Sequence, residues 1–75
     1  MTKEGWSGPL AEATDGMSVG VILDGIGYKS MQGLDNLMSD PGKQGRVPLN
    51  RLRGLAKAAP EENRRKIVGF MVGGL

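Results

Sequence analysis

Apolar and polar side chains are sorted most sharply over residues 17–38, MSVGVILDGIGYKSMQGLDNLM. At about 100° per residue, Val19, Ile22, Leu23, Ile26, Gly33, Leu34 and Leu37 fall within one arc. Asp24, Tyr28, Gln32, Asp35 and Asn36 fall opposite. Positions 19, 23, 26, 30, 33 and 37 alternate spacings of four and three, the seam of an amphipathic helix. The pattern predicts one helix over residues 17–39, stopped where Asp40 precedes Pro41 and is pushed out of the helical region. Thr14, Asp15 or Ser18 can cap it. Gly25 then lies on its polar side, where alanine is expected to stabilise by up to about 1 kcal/mol. The competing prediction is a β-hairpin over residues 18–31 followed by helices. Asp24-Gly25 sits between two apolar runs, and Val19, Val21 and Leu23 alternate before it. The helix is preferred because its stripe continues unbroken through Leu34 and Leu37.

The remaining segments follow from prolines and glycines. Gly5, Gly8, Pro9 and Gly16 interrupt residues 1–16, where Trp6 and Leu10 are the only bulky apolar groups, so an extended N-terminal arm is predicted. Residues 41–46, PGKQGR, form a turn short enough to make the flanking helices neighbours. Pro48 suits the first turn of a second helix over residues 48–59, with Leu49, Leu52, Leu55, Ala56 and Ala59 along one side. Pro60 divides it from a third helix over residues 60–72. There Glu61 and Glu62 favour the positive amino end, and Ile67, Phe70 and Met71 form the buried face. The expected architecture is all-α: a single small domain over residues 17–75, built as a bundle of about three helices, with the arm of residues 1–16 in front.

Composition limits what such a domain can do. A chain of 75 residues buries only about 60–65% of its unfolded surface. One Trp, one Tyr and one Phe are few anchors for a core, and thirteen glycines are many for a helical chain. These features favour burial completed against a partner. There is no cysteine for a disulfide or thiolate site and no histidine for a metal or a general base. Four serines therefore lack the usual base, and the carboxylates show no calcium-loop spacing. The segment Gly25-Ile26-Gly27-Tyr28-Lys29-Ser30 fails as a phosphate loop, since Tyr28 stands where glycine must precede the lysine. It fails as a dinucleotide loop because Ser30 replaces the third glycine. No enzymatic activity, cofactor, metal or small-molecule substrate is expected.

Charge is the more informative property. Residues 1–40 carry two basic and six acidic side chains, and residues 41–75 carry eight and two, so the halves stand at −4 and +6. They can neutralise one another by packing, or the basic half can meet an acidic partner. The polar N-terminus has no apolar centre of a secretory signal, and no run approaches the roughly 20 apolar residues that span a bilayer. A soluble chain, cytoplasmic or assembled inside the cell, is the expectation.

Three functions follow in order. The first is a small protein–protein interaction or assembly subunit, joining another protein or its own copies in a larger complex, filament or virion. Its apolar contacts would be Trp6, Val19, Leu23, Ile26, Leu34, Leu37 and Phe70. The second is nucleic-acid binding through Arg46, Arg51, Arg53, Lys57, Arg64, Arg65 and Lys66, which can neutralise phosphates. The third is a membrane-active peptide, since the apolar residues 67–75 follow a cationic cluster. Nine residues cannot span a bilayer, so a membrane partner is the least favoured.

Overall fold

Six helices run through residues 3–73, the part of the chain that the computed structural model describes. They are α1 (Pro9–Ala13), α2 (Val19–Ile26), α3 (Met31–Met38), α4 (Pro41–Gln44), α5 (Leu49–Ala58) and α6 (Glu61–Gly73). No strand occurs among these residues, so the all-α expectation holds and the hairpin over 18–31 is not formed.

The first expected helix is helical in two pieces. Ser18 Oγ accepts the Val21 N–H and starts α2, and Ser30 Oγ accepts the Gly33 N–H and starts α3. Between them Gly27 adopts φ 81°, ψ 21°, the left-handed conformation that ends helices and that a Cβ disfavours. Its N–H still bonds Leu23 O at 3.1 Å. The carbonyls left open at this end are taken by Arg51, whose guanidinium donates to Ile26 O at 3.1 Å and Gly27 O at 3.0 Å. A cation at a helix C-terminus also opposes its negative dipole end.

Of the arm expected over residues 1–16, the described part, residues 3–16, is extended only in part. Pro9 opens α1, and Leu10 and Ala13 enter the core. Two buried amides hold this segment to the rest. Gln44 Nε2 donates to Ser7 O at 2.8 Å, Leu37 O at 3.1 Å and Met38 O at 3.2 Å, while its Oε1 accepts the Leu10 N–H at 3.0 Å. Asn63 Nδ2 donates to Ala13 O at 2.9 Å and Asp15 O at 2.8 Å. Each amide satisfies a buried backbone group, the Leu10 N–H for Gln44 and the Ala13 carbonyl for Asn63. Residues 41–44 of the predicted turn thus form a one-turn helix that carries a central clamp.

The core joins Leu10, Met17, Ile22, Ile26, Leu34, Leu37, Met38, Leu52, Leu55 and Ile67. α2 lies across α5, and α6 packs on both α5 and α1. Gly25, placed on the polar side by the helical pattern, instead faces α5: a Cβ there would come within 3.0 Å of Ala58 Cβ and 3.1 Å of Leu55 Cα. At the far end of α5, Arg64 donates to Ala56 O at 3.1 Å and Ala59 O at 3.3 Å, closing that helix as Arg51 closes α2.

Candidate functional site

The apolar candidates divide by burial. Ile26, Leu34 and Leu37 are buried in the chain's own core and present no surface to a partner. Val19, Leu23 and Phe70 pack against the core while keeping part of their surface. Trp6 is half-buried, and its indole N–H donates to Asp35 Oδ1 at 2.8 Å, tying the N-terminal segment to α3.

Val21 on α2 and Leu49 on α5 are exposed singly, and the outer side of α6 carries two exposed valines on one helix. From Ile67 to Gly73 the helix, IVGFMVG, carries no polar side chain. Ile67 is buried, and Phe70 and Met71 lean on the core. Val68 and Val72 point away from it, 45% and 65% exposed. Beside them a Cβ on Gly69 or Gly73 would meet nothing within 4 Å. Of these residues the sequence pattern singles out Phe70 alone for a partner. The helical period is the guide there, and a stretch apolar on every side has none.

The basic candidates also divide. Arg51 and Arg64 are helix caps, with their guanidinium groups committed to backbone carbonyls. Arg65 pairs with Glu61 at 3.1 Å on one exposed face of α6, an interaction worth little in water. Arg46, Arg53, Lys57 and Lys66 are exposed. That Glu61–Arg65 pair is the one salt bridge among the described residues. The acidic and basic halves therefore meet without an ion pair between them among the described residues. Instead α2 and α5 pack at Gly25, Gly54, Leu55 and Ala58, and Gln44, Arg51 and Asn63 add hydrogen bonds to backbone carbonyls.

The surface of the described residues includes two depressions. An open groove of about 650 Å³ runs between the N-terminal segment and α6, with Trp6 and Ala11 on its floor and Lys3, Lys66, Glu12 and Asp15 around it. Its charges are mixed, and Lys3 Nζ is occupied by Met17 O. A smaller cleft of about 400 Å³ lies where α3, the α4–α5 connection and the loop after α2 converge. Tyr28, Leu37, Val47 and Pro48 make its apolar walls, with Asn36, Lys43 and Arg46 as its polar groups. Tyr28 and Lys43 are not among the sequence-derived candidates. No local pattern joins position 28 to positions 43–48, because only the fold brings them together.

Among the described residues no three His, Cys, Asp or Glu side chains come together as metal ligands. No helix among them is long and apolar enough to cross a membrane. No protein-family model matches this chain, nor does any curated protein or solved structure.

Proposed function

We propose that this protein is a small non-enzymatic assembly subunit that pairs with a second copy of itself through the outer side of α6. One observation carries the reading: the last seven described residues form a helix apolar all round, of which the bundle covers one side. A helix without a polar face belongs in an interior, and Val68 and Val72 are left in water.

The geometry also favours a like partner. Val68 and Val72 form a ridge beside the open places at Gly69 and Gly73, so one surface carries both bulge and gap. A two-fold interface requires such self-complementarity, and a side with small residues lets two helices approach closely. Lipid suits this surface less well. Seven residues rise about 10 Å, against about 30 Å of hydrocarbon, and Glu61, Glu62 and Arg65 precede them on the same helix. Ile26, Leu34 and Leu37 are covered by the chain's own core, and Val72 is the most exposed large apolar side chain among the described residues.

Sedimentation equilibrium from micromolar to submillimolar concentration tests the reading. The native chain is expected to form dimers, and Val72→Lys to be monomeric with an unchanged far-ultraviolet spectrum. Gly69→Ala is expected to raise the melting temperature of the monomer while weakening association. A native chain that stays monomeric throughout, or that partitions onto zwitterionic lipid vesicles instead of pairing, overturns it.

A further inference from the structure

We propose that the cleft at Tyr28, Lys43 and Arg46 binds one nucleotide unit of a single-stranded nucleic acid. Lys43 and Arg46 would hold the phosphate, and the Tyr28 ring would face the base. The inference rests on the convergence of three segments and is independent of α6.

The cleft has a volume within the range of roughly 300–1,000 Å³ over which small-molecule sites fall. Two cations line it and no carboxylate does. The nearest acidic groups in sequence are engaged elsewhere: Asp40 Oδ1 accepts the Gly42 N–H at 3.0 Å, and Asp35 Oδ1 accepts the Trp6 indole N–H at 2.8 Å. Lys43 and Arg46 thus face the opening without an ion-pair partner among the described residues. Lysine offers a phosphate a point charge, and arginine offers it a planar fork of donors.

The aromatic wall is braced by its neighbours. Arg51 lies 5.2 Å from the centroid of the Tyr28 ring, and its guanidinium is itself fixed by Ile26 O and Gly27 O. The ring also lies near Gly33, where an added Cβ would touch Tyr28 Cδ2 at 3.6 Å. A positively charged groove with an aromatic surface is the combination that binds single strands with little sequence preference. An acidic peptide would use the cations and leave the ring without a role. Pro48, at the amino end of α5, completes the wall, and no side chain caps that helix end.

Fluorescence anisotropy with a 5′-labelled oligo(dT) 12-mer tests the assignment, starting at 50 mM salt. Lys43→Ala combined with Arg46→Ala is expected to weaken binding at least about tenfold and to lower the log–log salt slope by about 0.7 for each phosphate no longer neutralised. Arg53→Ala combined with Lys57→Ala removes the same charge from the outside of α5 and is expected to change affinity less than threefold. Tyr28→Ala is expected to weaken binding about tenfold; Tyr28→Phe, which keeps the ring, is expected to bind nearly as the native chain does. Val72→Lys should bind as well as the native protein, which separates this site from self-association. Absence of binding at 50 mM salt, equal losses in the two double variants, or equal displacement by poly-glutamate overturns the proposal. Displacement by free dTMP as effective per nucleotide as by unlabelled oligomer overturns the assignment to a strand.

Discussion

Gly54 and Gly25 touch backbone to backbone where α5 crosses α2: a Cβ on Gly54 would lie 2.6 Å from the carbonyl oxygen of Gly25. Neither atom belongs to a flexible side chain, so any added methyl must drive the two helices apart. Gly54→Ala is expected to destabilise by about 2–3 kcal/mol despite the better helix propensity of alanine. Gly25→Ala, which would press on Ala58 Cβ and Leu55 Cα, is expected to cost about 1 kcal/mol, the reverse of what its place in the helical pattern implies. Gly20→Ala is the control. It lies in the same helix with nothing within 4 Å of an added Cβ, and should stabilise by about 0.5–1 kcal/mol. Urea unfolding of the three variants reads the order directly.

Gln44 is the side chain whose loss should cost most among the polar ones. Gln44→Ala removes the acceptor of the buried Leu10 N–H and a donor shared by the Ser7, Leu37 and Met38 carbonyls, of which Leu37 and Met38 keep the Asp40 and Ser7 N–H groups. With the buried Leu10 N–H left unpaired and the Ser7 carbonyl stripped of this donor, a loss of about 2–3 kcal/mol is expected. Gln44→Glu is expected to fare little better at neutral pH, because a carboxylate cannot donate to Ser7, Leu37 and Met38. A loss below about 1 kcal/mol in chemical denaturation would refute the clamp.

Asn63 ties the start of α6 to the end of α1. Asn63→Ala is expected to cost about 2 kcal/mol, since it leaves the carbonyls of Ala13 and Asp15 without their donor. Hydrogen exchange adds a local readout. Amides of residues 10–15 should lose protection more than those of α2 and α3, as α1 loosens before the rest opens.

The arginines should separate into structural and surface groups. Arg51→Ala removes the carbonyl partner at the end of α2 and the cation beside Tyr28, and is expected to cost about 1–2 kcal/mol. Arg53→Ala, two residues along the same helix and exposed, is expected to stay within about 0.5 kcal/mol of the native chain. Thermal melts of both variants at matched salt compare them. Equal losses would mean that net charge, rather than the cap, sets the stability.

Local chemistry by itself determined the helical class, the bounds of α5 and α6, the start of α2, the end of α3 and much of the core. Ser18, Pro48, Pro60 and Asp40-Pro41 act on the few residues beside them, and the 3.6-residue period marks Ile22, Ile26, Leu52, Leu55 and Ile67 without reference to anything distant. Tertiary structure decided what depends on partners far along the chain. Gly27 ends a helix that the apolar stripe would continue, because Arg51, 25 residues on from Ile26, satisfies the Ile26 carbonyl. Residues 9–13 become a core helix because Gln44 and Asn63 supply the hydrogen bonds that an extended arm would take from water. Gly25 is a packing position rather than a surface one because Gly54 stands opposite it, and the Tyr28 cleft exists because α3 and the chain after α4 close over the loop. Such pairings leave no period in the sequence: hydrogen-bond geometry and close packing select them only once the helices have met.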